Sequence, residues 1–145
     1  MAHIRQLIRD QVVSALTGLT TTGANIFSAR VYPMDYGSLP GIIVYTETES
    51  TEYVTTSLPR TQLRSLMVSA EAYVRAVADY DDTIDTISSE IEAAIYSDVT
   101  LGGYAKDARV TAFESSFSGD VEQPIMTGKL TIEVVYTSTE GTPTG

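Results

Sequence analysis

Cysteine is missing from all 145 residues, which removes disulfides and thiolate metal ligands at once. That suits assembly in a reducing cytosol. Histidine occurs once, as His3. A Ser–His–Asp triad would have to run through that one residue, close to the N-terminus and outside any rigid shell, so a surface histidine is expected instead. Tryptophan is also missing, and with it the sugar platform that would give meaning to a pair of glycosidase carboxylates. Basic residues are scarce: 9 Lys and Arg stand against 19 Asp and Glu, for a formal net charge of −10. Such a surface repels phosphate and anionic lipid, so the footprint of a nucleic-acid binder is absent. No apolar run approaches the roughly 20 residues that span a bilayer. The opening "MAHIRQLIRD" is charged too early for a signal peptide, and a soluble protein is expected.

What remains is enough for one globular domain. A chain of 145 residues with 43% hydrophobic content can bury about two-thirds of its unfolded surface. Ile4, Leu7, Ile8, Val12, Ala15 and Leu16 recur at helical steps, and Gly18 supplies a stop. Residues 26–32 read as a short strand ended by Pro33. Residues 41–46, "GIIVYT", read as a strand buried on both faces, with Pro40 placed where its missing N–H costs nothing. Residues 47–61, "ETESTEYVTTSLPRT", read as an extended loop or the splayed ends of two strands. Residues 62–75 alternate strictly, with Leu66, Val68, Ala70, Ala72 and Val74 on one side. Ala70 and Ala72 are small enough for a helix to lie close over them.

A second helix follows, with Ile84, Ile87, Ile91, Ala94 and Ile95 in step and Asp79, Asp81, Asp82 and Asp85 at its N-terminal end. Asp81 offers a capping oxygen. Gly102 and Gly103 mark a turn; residues 108–117 and 125–138 are two more strands, the last with Leu130, Ile132, Val134 and Tyr136 on one face. The order is α-β-β-β-α-β-β. The expected class is α+β: a mainly antiparallel or mixed sheet with both helices on one face, over residues 1–138, and a flexible tail at 139–145.

Chemical motifs are weak. Asp79, Asp81, Thr83 and Glu90 echo the spacing of a calcium loop, but Ile84 stands where the sharp turn needs glycine. Residues 102–106, "GGYAK", lack the glycine spacing and the Lys-Ser/Thr pair of a phosphate loop. No catalytic residue, cofactor site or metal site is assigned. Nine tyrosines are spread along the chain, a residue type that serves interfaces and core rims alike. An interaction protein is favoured over an enzyme.

The succession of elements resembles the tail terminator proteins of long-tailed bacteriophages, the family of the lambda-like minor tail protein U. The matching features are the helix "IRQLIRDQVVSAL", the strand reaching "ARVYP", the "LPGIIVYT" entry, the alternating "LMVSAEAYVRA", the acidic-capped "DDTIDTISSEIEAAI" and the closing "GKLTIEVVYT" with its Thr-x-x-x-x-Tyr ending. They run over almost the whole chain, although none is diagnostic alone. The resemblance implies a virion protein assembled in the host cytoplasm. It would form a hexameric homo-oligomeric ring at the tail–neck junction, stop growth of the major tail tube protein, and meet a head-completion or neck protein. Phage DNA would pass through without specific binding, and an acidic lumen would suit that passage. No membrane is involved. Related head–tail joining or tail-completion proteins share the pattern and form the alternative reading; a small carboxylate enzyme is a third. Two segments are the expected contact surfaces to tube or neighbour: 47–61, with Glu47, Glu49, Glu52, Tyr53 and Arg60, and 117–124, with Phe117, Asp120 and Glu122. A plain solvated hairpin end is the competing expectation for both.

Overall fold

The structure is a computed structural model, and it describes residues 2–28, 39–76, 79–119 and 124–143. The elements are α1 (Ile4–Leu16), β1 (Ile26–Ser28), β2 (Gly41–Tyr53), β3 (Thr61–Arg75), α2 (Tyr80–Ser97), β4 (Asp107–Gly119) and β5 (Pro124–Thr139). The class is α+β in the expected order. The five strands form one sheet in the order β1-β2-β3-β5-β4. Only β1 is parallel to its neighbour; the other three pairings are antiparallel. Residues 29–32 of the first expected strand lie outside the described residues.

Both helices cover one face. α1 packs against β1 and β2, α2 against β3, β4 and β5, and the two helices touch each other. The periodicity explains this directly. Ile8, Val12 and Leu16 of α1 and Ile84, Ile87, Ile91 and Ile95 of α2 are buried, each set on one stripe. They meet Leu66, Val68, Ala70, Ala72 and Val74 of β3 and Leu130, Ile132, Val134 and Tyr136 of β5 in one core. The small residues on β3 have a partner in Gly128 of β5, which stands opposite Ala72. A Cβ on Gly128 would come within 2.8 Å of Ile84 Cγ2 and 3.2 Å of Phe113 Cε1. The depression made by Ala72 and Gly128 is what lets α2 lie close. On the opposite face Leu39 and Ile43 form a smaller cluster with Tyr45, Tyr73 and Ile125, so the start of β2 is buried on both sides.

Two local expectations are corrected. Asp81 is not the cap of α2: the helix begins at Tyr80, Asp79 holds the N-cap position with no side-chain cap bond, and Asp81 and Asp82 fall in the first turn. Their charge acts on the helix dipole rather than as a cap. His3 is not a free surface residue: it is the N-cap of α1, and its Nδ1 accepts the Arg5 backbone N–H at 3.0 Å. Of the two readings of residues 47–61, the strand ends hold. β2 continues to Tyr53 and stays paired with β3 as far as Gln62. Past β5, Thr139 bridges Thr142, and Pro143 C=O accepts the Ile4 N–H at 2.9 Å.

Candidate interaction site

The continuation of β2 depends on a bulge. Thr46 stands opposite Val68 and Glu49 opposite Leu66, so Glu47 and Thr48 share the single position facing Met67. One extra residue reverses the side-chain alternation. Before the bulge Ile42 and Val44 point to the helices; after it Glu49 does, in line with Leu66. Glu47 stays on the open face.

Glu49 thereby enters the end of the core. Its carboxylate accepts Arg5 Nη1 at 2.6 Å and Arg64 Nη1 at 3.1 Å, and its other oxygen accepts the Tyr136 hydroxyl. The Glu49 side chain is 8% exposed and Arg64 13%, so this pair is nearly dry, while Arg5 closes it from outside at 39% exposure. Arg64 also donates through Nε to Ser138 Oγ at 2.9 Å and through Nη2 to Gln62 Oε1 at 2.9 Å, and Ser138 Oγ donates to Gln62 Oε1 at 3.1 Å. The charges are thus both paired and hydrogen-bonded, the condition for burying them. Burial, then the bond to Glu49, pushes the Tyr136 phenol well above the ordinary tyrosine range. Burial and the nearby Arg5 charge lower the pKa of His3, which agrees with an Nδ1 that must stay unprotonated to accept. This cluster ties α1, β2, β3 and β5 together at the root of the β2–β3 hairpin.

The open face carries a row of separate pairs instead. Glu47 holds Lys129 and accepts Ser69 Oγ at 2.7 Å. Glu71 accepts the hydroxyls of Tyr45 at 2.6 Å and Tyr73 at 2.5 Å. Glu133 binds Arg109 at 2.8 Å and accepts Ser65 Oγ at 3.1 Å. The hydrogen bonds from Lys129 and Ser69 hold the Glu47 carboxyl below its usual range, and those from Arg109 and Ser65 do the same for Glu133. Each carboxylate is engaged by a cation or by hydroxyls, in its own cross-strand pair. Among the described residues no group of three or more His, Cys, Asp or Glu is placed to hold a metal.

The hairpin ends in residues 54–60. Here Tyr53, Val54 and Leu58 are exposed at 56%, 54% and 73%, an apolar tip on a polar strand pair. Arg60 lies 5.7 Å from the Tyr53 ring centre and bonds Glu140 at 2.8 Å, bracing the tip against the end of β5. Beyond Val44, β2 has no described partner on its outer side, since β1 covers only Ile42 to Val44.

The expected contact residues therefore divide. Glu52 and Tyr53 are exposed on the outer part of β2, and Arg60 braces the tip. Glu47 and Glu49 sit on β2 inside ion pairs. Phe117 is on β4, 62% exposed, with its ring edge-on to Tyr80 at 6.1 Å, so it is far from the hairpin tip in the strand order. Asp120 and Glu122 lie outside the described residues. Sequence reasoning missed Arg5, Arg64 and Tyr136 as partners of Glu49, and Val54 and Leu58 as the tip. The second pair had a signal: two apolar residues inside "EYVTTSLPR", where nothing else calls for burial.

No family model matches the chain, and no curated protein matches it. Among solved structures it is similar to a chain of the "Virion of native gene transfer agent (GTA) particle", at 14% identity and a TM-score of 0.41, covering 94% of this chain and 92% of that one. Among the described residues no helix is long and apolar enough to cross a membrane.

Proposed function

We propose that this chain is a non-enzymatic structural protein of a tailed-phage virion, and specifically a tail terminator. It would ring the end of the tail tube, stop tube growth and present the surface on which the head docks. One observation supports an assembly role above others: the β2–β3 hairpin carries an apolar tip, Tyr53, Val54 and Leu58, on strands pinned at their root by the buried Glu49 cluster. A long hairpin held rigid and tipped with exposed apolar surface is an element for docking on another subunit. The terminator role itself rests on the resemblance in element order and strand motifs described above. A ring is a heterologous assembly, in which one surface of a subunit meets a different surface of the next. The hairpin tip is one such surface, and it would meet a different surface on the next subunit. The net charge of −10 suits a lumen through which DNA slides.

Electron microscopy of tails assembled with and without this chain tests the proposal. Tails of uniform length with the chain and overlong tubes without it are the expected result; uniform tubes in both preparations would instead favour a head–tail joining or tail-completion role. Leu58→Asp with Val54→Asp should abolish length control while leaving the purified subunit folded. A monomer in solution is compatible with assembly on the tube, so the readout is tube length.

A further inference from the structure

β4 is a thirteen-residue strand, Asp107–Gly119, at the edge of the sheet. It is paired with β5 along its inner side, and among the described residues no strand covers its outer side. Edge strands of monomers are commonly guarded by lysine or proline. β4 contains neither, its one cation Arg109 is engaged by Glu133, and it exposes Phe113 at 48% and Phe117 at 62%. A bulge between Val110 and Ala112 and the carboxylates of Asp107 and Glu114 are the protection it has.

α2 lies antiparallel along this edge, from Tyr80 against Phe117 to Ile95 beside Ala108. Between them runs a groove of two adjoining sections of about 260 and 250 Å³, which share Glu92 and Val110. Tyr96, 84% exposed, stands at one end and Phe113 at the other. The Ser88 hydroxyl lining the groove is buried and has no hydrogen-bond partner. The helical wall carries Asp85 and Glu92, both exposed, and α2 has no Lys or Arg anywhere in its length.

We infer that the β4 edge and the α2 groove together receive an extended segment of a different protein, in which basic and apolar residues alternate. The segment adds a sixth strand to the sheet: its backbone pairs with the free N–H and C=O groups of β4. Period-two alternation then sends the basic side chains toward α2, where their ammonium or guanidinium groups meet Asp85 and Glu92 and their alkyl stems lie against Phe113 and Tyr96, while the apolar residues face the other side of the sheet. Charge decides against a second copy of this chain. Its other open edge, "YTETESTEY" in β2, has no cation and exposes Glu52, and its own β4 edge lies beside the same acidic helix wall, so either would set like charges against the groove. The inference stands apart from the ring reading, because it concerns the opposite edge of the sheet from the hairpin tip.

The test uses an acetylated, fluorescently labelled peptide of alternating lysine and valine, about nine residues long to match a strand. Its binding to the full chain is followed by fluorescence anisotropy, and amide exchange reports which strand it covers. The expected result is saturable binding, slowed exchange in β4 and none in β2. The double variant Asp85→Lys with Glu92→Lys should weaken binding at least about tenfold, or about 1.4 kcal/mol. A variant with the same charge change elsewhere, Asp10→Lys with Glu52→Lys, should shift it less than about twofold, since neither residue lines the groove and solvent-exposed charges are screened by salt. Circular dichroism confirms that both variants fold. Equal loss in both variants, no saturable binding, or unchanged exchange in β4 would overturn the inference. So would a concentration-dependent dimer of the unliganded protein that protects β4, which would assign the edge to self-association.

Discussion

Glu47 and Glu49 are two residues apart on one strand, and a regular strand would send them to the same side. The bulge at Glu47 and Thr48 separates them. Glu47 lies over the open face against Lys129, with side chains 29% and 27% exposed. Glu49 lies at the end of the core among Arg5, Arg64 and Tyr136, at 8%. Their chemistry is similar, since each is a carboxylate bonded to a hydroxyl and to cations, one at Glu47 and two at Glu49. Their energetic consequences are not. Water reaches both Glu47 and Lys129, so their pair is worth little. Little water reaches Glu49 and Arg64, so these partners are costly to abandon. The same residue type therefore serves solubility at one position and architecture two positions on.

The largest effect expected of any change to this pair is that of Glu49→Ala. It strands the buried guanidinium of Arg64 and the Tyr136 hydroxyl, and should cost about 3–5 kcal/mol in urea denaturation. Replacing the group as a whole, Glu49→Leu with Arg64→Met and Tyr136→Phe, should recover most of that loss, because no unpaired charge is left inside. If the triple variant is as unstable as the single one, the cluster contributes more than the mutual neutralisation argued here.

A smaller loss is expected at the helix that supplies Arg5. His3→Ala removes the cap of α1 and should cost about 1 kcal/mol, while His3→Asn keeps it. In the wild type the His3 pKa is lowered in the folded state, so the unfolded chain binds the proton more readily. The cap's contribution is present above the unfolded value, about 6.5, and declines as pH falls below it. His3→Asn should remove that part of the pH dependence, which sets in as pH falls below about 6.5.

Deleting Thr48 tests the bulge itself. Glu47 would then face Met67 alone and Glu49 would still face Leu66, so both carboxylates should keep their partners at a cost within about 1 kcal/mol. Loss of the Tyr136–Glu49 bond in a crystal structure of the deletion would show that the bulge also sets the strand's path.

The smallest effect is reserved for Glu47→Ala, about 0.5 kcal/mol. The folded-state pKa values of Glu47 and Glu133 are lowered by their partners. Their stabilisation is complete above the unfolded carboxylate value, about 4.3, and is lost as pH falls through the lower folded values. Glu47→Ala should therefore flatten the acid limb of stability slightly, and a larger change than this would break the contrast with Glu49.

The elements were legible because their periods are local properties. The stripe Ile84, Ile87, Ile91, Ile95 and the alternation of residues 66–74 identify a helix and a strand without reference to anything else in the chain. The small residues Ala70 and Ala72 announced a close helix, and α2 lies there. The site was less legible. "ETESTEY" has no apolar alternation of its own, so its reading stayed open between a loop and splayed strands. It holds as strand because β3 extends alongside it and Arg5, Arg64 and Tyr136, up to 87 residues distant in sequence, neutralise Glu49. His3 was read as a surface residue for a similar reason, since a cap is recognised from backbone geometry rather than from residue type alone.

Composition and periodicity determined, without any coordinates, that this chain has no thiol chemistry, carries a strongly acidic surface, and folds as α+β in the order α-β-β-β-α-β-β. These follow from which side chains are present and how often apolar ones recur along the chain. Tertiary structure alone decided which of two neighbouring glutamates is buried, which apolar residues form an exposed tip, and which strand is left at the edge. Those outcomes depend on register and on partners far away in sequence, and one bulged residue is enough to exchange inside for outside.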